Sequence, residues 1–97
     1  MKPTKIFAYG ILKGYKNKKE KGYLLNYEKY IKNGYYTIKR KQGSIVEGEI
    51  INVDDYDLKV FDKIEGLEAK FYKRYISRVF NDKGESNIVW IYKQKEE

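Results

Sequence analysis

The hydrophobic positions of this chain fall in short blocks divided by glycine, asparagine and lysine, and most blocks carry the period of a strand. Thr4 to Tyr9, "TKIFAY", gathers branched and aromatic residues up to Gly10 and reads as a buried first strand. Lys13 to Lys21 is polar, punctuated by Gly14 and Gly22, and reads as a loop. Tyr23 to Ile31, "YLLNYEKYI", fits a helix or a strand by pattern alone. Asn33-Gly34 follows it and "YYTIKRK" comes next, which favours a hairpin, because Asn-Gly tolerates the two positive-φ positions of a tight turn.

Ser44 to Val53, "SIVEGEIINV", is rich in branched residues and reads as a further strand, with Gly48 marking a bulge or a close approach of another group to the backbone. "DDYDLKVFDKIEG" then changes period. Asp54 or Asp55 suits a helix N-cap, the acids suit the first turn, Leu58 and Phe61 lie on one face, and Gly66 stands where a helix stops. Phe71 to Phe80 and Asn87 to Lys95 read as two strands joined through the turn-forming "NDKGES". The order is a strand, a loop, about three strands, one helix and two strands. It predicts an α+β fold with a mainly antiparallel, twisted or barrel-like sheet and one short helix.

Composition narrows the chemistry. The 97 residues suit a single domain over 1–97, with 93–97 expected to fray as a tail. Hydrophobic residues at 41% against 36% charged place the chain among globular proteins, and 11 tyrosines supply much of the apolar area. Absence of cysteine and histidine excludes disulfides, the common zinc sites, thiol nucleophiles and every triad that needs an imidazole base. No metal or cofactor is expected, and catalysis would fall to carboxylates, tyrosines, lysines or backbone groups. No apolar run approaches the roughly 20 residues of a membrane span and the N-terminus lacks a signal-type stretch, so a cytoplasmic protein without membrane contact is expected. The formal charge of +7 makes this a basic protein, but the lysines are dispersed, so solubility is the favoured reading over nucleic-acid binding.

Two positions combine into candidate chemistry. Glu65 lies in the last helical turn, where the negative end of the helix dipole and partial burial would both disfavour its charged form and make it a usable acid and base; its plainer reading is a solvated residue before a cap. Gly10, directly after a buried strand, lets successive N–H groups face one anion or oxyanion, or it simply turns the chain. The stretch "GILKG" lacks the spacing and terminal Lys-Ser/Thr of a phosphate loop.

Taken in order, "FAYGIL" (Phe7 to Leu12), "VEGEIINVDD" (Val46 to Asp55), "FDKIEG" (Phe61 to Gly66), "YKR" (Tyr72 to Arg74) and "WIY" (Trp90 to Tyr92) resemble the gamma-glutamylcyclotransferase-like family, including its gamma-glutamylamine cyclotransferase and plant avirulence-induced branches. The resemblance implies a transferase- or lyase-type cyclisation that turns a small gamma-glutamyl amine or peptide into 5-oxoproline and a free amine. It implies Glu65 as the catalytic acid/base, Tyr9, Gly10, Ile11 and Leu12 as the glutamyl-binding loop, and Tyr72 as a pocket wall; Tyr92 matches either a site aromatic or a core residue. Ile11 departs from the family's small hydroxyl residue, and Lys13 to Gly22 is shorter than the family's usual segment. Those departures keep a second reading open: a non-catalytic module of the same fold that captures a small anionic metabolite or nucleotide.

Overall fold

The computed structural model describes residues 3–9, 19–64 and 72–95. Five strands and one helix follow in the order β1 (Lys5–Ala8), β2 (Lys19–Lys32), β3 (Tyr35–Asn52), α1 (Asp55–Ile64), β4 (Tyr72–Phe80) and β5 (Ser86–Gln94). The strands close into a barrel in the order β1-β3-β2-β4-β5. Closure rests on β1, which pairs antiparallel with β3 and meets β5 in parallel at Ile6↔Trp90.

The hairpin expected at Asn33-Gly34 is present, with both residues at positive φ (55° and 81°) and Lys32 opposite Tyr35. Two sequence expectations change around it. Lys19 to Lys21, read as loop, already belong to β2. The separate strands expected at "YYTIKRK" and "SIVEGEIINV" are one strand, β3, that runs through the polar stretch between them. The ladder shifts register there: Leu25 faces Ile45 but Tyr27 faces Arg40. Asn26 and Gly43 absorb the irregularity at φ 65° and 86°, and the Gly43 N–H donates to Asn26 Oδ1 at 3.0 Å.

Gly48 marks a close approach. It pairs with Gly22, and the Phe7 ring lies over both glycines, so near that a Cβ built on Gly48 would stand 2.8 Å from Phe7 Cζ. Side-chain alternation then divides the core between two clusters. Phe7, Tyr9, Leu24, Ile38, Val46 and Ile91 are among those that pack together in one, while Ile6, Ala8, Ile51, Tyr72 and Tyr92 form the other with Phe61 of α1.

The helix begins as its acids predict, with Asp54 as the cap. Asp54 Oδ1 accepts from the Asp57 N–H at 2.7 Å, and the Asp57 carboxylate accepts from the Asp54 N–H at 3.3 Å. The "NDKGES" turn is also built by its first residue: Asn81 Oδ1 accepts from the N–H groups of Lys83 and Glu85 at 3.0 and 2.9 Å. Lys93 and Gln94, read as the start of a frayed tail, are strand residues of β5. Gln94 is buried and held in place: its N–H donates to Thr37 Oγ1 at 3.0 Å and its amide to the Lys32 carbonyl at 2.7 Å.

Candidate functional site

Tyr9 is the first of the glutamyl-loop candidates and the one of them that is described, and it is held from both ends. Its ring is buried in the first core cluster and its hydroxyl donates to the Tyr92 carbonyl. Its own carbonyl accepts from Lys29 Nζ at 3.4 Å. The same ammonium lies 4.6 Å from the centre of the Tyr36 ring, and the Tyr36 carbonyl accepts from the Tyr72 hydroxyl at 2.7 Å. Tyr9 and Tyr72, separated by most of the chain, are therefore joined through Lys29 and Tyr36 at one end of the barrel.

The local reason is register. Counting back from the Asn33-Gly34 turn places Lys29 opposite Ile38, a buried position, so that Lys29 shares the inward side of the hairpin. Sequence reading missed Lys29, because a lysine in a polar strand is ordinarily a solvated residue; the turn and a count of residues would have found it. Gln94 carries no comparable signal.

Beneath α1, Asp62 Oδ1 accepts from the Tyr92 hydroxyl at 2.5 Å and from Arg74 Nε at 3.0 Å. Arg74 also stacks on Trp90 with its guanidinium carbon 4.6 Å from the ring centre. This network ties the helix that leads into Glu65 to strands β4 and β5. Tyr92, which the sequence left between site and core, is a core residue whose hydroxyl reaches the helix.

A cleft of about 130 Å³ opens where β2 and β4 diverge, their ladder among the described residues being the single pair Tyr23↔Phe80. Ile38 and Ile91, members of the same cluster as Tyr9, line it with Tyr27, Tyr75, Ser77 and Lys93. Cations cover both tyrosine walls: Lys93 and Lys73 stand 4.4 and 5.8 Å from the Tyr75 ring centre, and Arg40 stands 5.6 Å from that of Tyr27. Among the described residues no carboxylate lines this cleft. An apolar floor beneath hydroxyls and an ammonium suits a small organic anion.

Of the site residues expected from sequence, Tyr9 and Tyr72 are brought to one end of the barrel. Tyr72 packs in the second cluster and is not among the residues lining the cleft. Glu65, Gly10, Ile11 and Leu12 lie outside the described residues. Among the described residues there is no group of three or more histidine, cysteine, aspartate or glutamate side chains arranged to hold a metal, and no helix long and apolar enough to cross a membrane.

The five-stranded barrel with one short helix is that of the gamma-glutamylcyclotransferase structures. A solved gamma-glutamyl cyclotransferase matches with a TM-score of 0.79 at 17% identity, over 98% of this chain and 68% of that one. An uncharacterized Homo sapiens protein matches with a TM-score of 0.81 at 18% identity, over 99% and 69%. At such identities the likeness speaks for the fold. Family membership rests on sequence: the chain belongs to the gamma-glutamyl cyclotransferase, AIG2-like family, whose profile matches residues 6–97. A Methanocaldococcus jannaschii protein named "Gamma-glutamylcyclotransferase and putative RNase" is 31% identical over 106 aligned positions, covering 93% of this chain. The chain spans about half of that relative, 46% of its length.

Proposed function

We propose that the chain is a small gamma-glutamyl cyclotransferase that converts a gamma-glutamyl amine or peptide into 5-oxoproline and a free amine. The observation that carries this reading is the family match over residues 6–97, which takes in both "YGIL" and "FDKIEG".

The chemistry asks little of the protein. The substrate's own α-amino nitrogen attacks its γ-carbonyl carbon, a C–N bond forms in the five-membered ring, and the bond to the departing nitrogen breaks. One proton leaves the attacking amine and one reaches the leaving amine, so a single carboxylate, Glu65, serves as base and then as acid. No water is consumed. Holding the glutamyl chain curled supplies much of the acceleration by proximity, and backbone N–H groups of the Gly10 to Leu12 stretch would receive the developing oxyanion. Tyr9 would anchor the start of that stretch, and the Tyr92–Asp62–Arg74 network would position the helix before Glu65.

Purified protein incubated with a panel of gamma-glutamyl amines and dipeptides should release 5-oxoproline, and Glu65→Gln should lower the rate by about 100-fold or more. Absence of turnover on every panel member, or full activity in the variant, would overturn the reading.

A second reading is favoured by the cleft itself, which carries Lys93 and, among the described residues, no carboxylate: a binding module of the same fold that holds a small anionic metabolite or nucleotide. Thermal stabilisation by such anions, without product and undiminished in Glu65→Gln, would select it.

A further inference from the structure

The β2–β3 hairpin beyond the register shift carries a surface for which the cyclotransferase reading has no use. From Tyr27 to Lys41 the hairpin holds five cations, Lys29, Lys32, Lys39, Arg40 and Lys41, and one acid, Glu28; Lys29 and Arg40 belong to the side already described, and Lys32, Lys39 and Lys41 to the other. Strand alternation puts Glu28, Tyr30 and Lys32 on one side with their partners Lys39, Thr37 and Tyr35, opposite to the side of Ile38; Thr37 in this row is buried under Gln94, whose N–H donates to its Oγ1, and the residues on either side of it carry the charge and the exposed ring. Glu28 gathers two of these cations, accepting Lys39 at 3.3 Å and Lys41 at 3.2 Å. Lys39 in turn stands 5.0 Å from the Tyr30 ring centre. At the tip, beside Lys32, Tyr35 is 52% exposed.

The hairpin is also fixed in place. Gln94 donates to the Lys32 and Tyr35 carbonyls at 2.7 and 3.2 Å, and Tyr72 donates to the Tyr36 carbonyl. An aromatic and basic platform that is already rigid loses little entropy when something lies across it.

We propose that this face of the hairpin binds a single-stranded nucleic acid, with Lys32, Lys39 and Lys41 meeting phosphates and the exposed Tyr35 ring stacking on a base. The charge fits a polyanion, and the ring fits an unpaired base, which duplexes do not offer. A hairpin tied to the barrel at its tip does not reach into a groove as a free arm would, which separates this surface from a duplex reader.

The test is fluorescence anisotropy of a short dye-labelled oligouridylate with the whole chain, titrated from low to physiological salt. Neutralising about three phosphates gives a log–log salt slope of about −2. Tyr35→Ala should weaken binding roughly tenfold, by loss of stacking, and Lys32→Glu with Lys39→Glu should weaken it further and flatten the slope. Glu28→Gln should tighten it, since the only acid between Tyr27 and Lys41 is gone. Unfolding midpoints of the variants identify any loss that is merely structural, and Tyr35→Phe, which keeps the ring, should bind like the parent. The proposal is overturned if no binding occurs at low salt, if the hairpin variants bind like the parent, if a duplex binds as tightly as the single strand, or if anionic vesicles bind and the oligonucleotide does not.

Discussion

The Tyr92 hydroxyl on β5 and Arg74 Nε on β4 converge on the same oxygen of Asp62, at 2.5 and 3.0 Å, so one carboxylate fastens α1 to two strands. Tyr92 is 2% exposed, and without Asp62 its hydroxyl would be buried with that acceptor gone. Asp62→Ala should therefore lower unfolding stability by about 1–3 kcal/mol, since it removes a hydrogen bond to a charged acceptor together with the partner of Arg74. Tyr92→Phe removes the donor and leaves Asp62 its guanidinium, so it should cost less, about 0.5–1.5 kcal/mol. Chemical denaturation of both variants checks the order; equal midpoints for Asp62→Ala and the parent would remove the clamp.

Phe7 on its cross-strand glycine pair gives a second prediction. A Cβ on Gly48 would lie 2.4 Å from the Ala8 carbonyl oxygen, a backbone atom held in the β1–β3 ladder. A Cβ on Gly22 would lie 2.7 Å from Ile50 Cγ1, part of a side chain with other rotamers. Gly48→Ala should lose about 1–3 kcal/mol through overpacking and Gly22→Ala less. Thermal unfolding of the two single variants decides it, and a Gly22→Ala loss as large as that of Gly48→Ala would contradict the argument.

These glycines also show what the sequence made legible. Local chemistry was readable wherever one residue type does one job: Asn33-Gly34 turns the hairpin, Asp54 caps the helix, Asn81 builds the β4–β5 turn, and Gly48 announces a close neighbour. What escaped depends on partners distant in sequence. The polar "KQGS" stretch inside β3 looks like a break, yet Asn26 across the ladder supplies the hydrogen bond that lets the strand continue past Gly43. Gln94 looks like tail until the hairpin tip is folded against it. Barrel closure hinges on Ile6 meeting Trp90, a pairing that no local pattern encodes. For the candidate site, motifs suggest Tyr9 and Tyr72, but the lysine that links Tyr9 to Tyr36 follows only from register.

Tyr23 should give the barrel a measurable alkaline dependence. Its hydroxyl donates to Asp82 at 2.6 Å, and that hydrogen bond, with burial and the nearby charges of Asp82 and Glu47, raises its pKa above the ordinary phenol value. A raised folded-state pKa means that the stabilising contribution is complete below the unfolded-state phenol pKa and is lost as pH climbs from there through the folded-state value. Unfolding midpoints of the parent and Tyr23→Phe should differ by a constant amount at neutral pH and converge in the alkaline range. A gap that stays constant through that range would show that Tyr23 does not titrate with folding.

Lys29 ties the inner side of the hairpin to the carbonyl of Tyr9, the residue from which the proposed glutamyl-binding stretch departs. It lines no part of the described cleft, so its role is positioning. Lys29→Met keeps the aliphatic stem but loses both the bond to Tyr9 and the contact with the Tyr36 ring. Because those hold the start of the stretch without touching the reacting atoms, the variant should lower kcat/KM for 5-oxoproline release by roughly fivefold to tenfold, equivalent to about 1–1.4 kcal/mol, the typical worth of one hydrogen bond. The loss should fall mainly on KM, whereas Glu65→Gln should fall on kcat. Lys29→Arg retains a cation within reach of both partners and should recover part of the loss. Steady-state kinetics of the three variants separates these roles, and a Lys29→Met variant with unchanged KM would detach the hairpin from the proposed site.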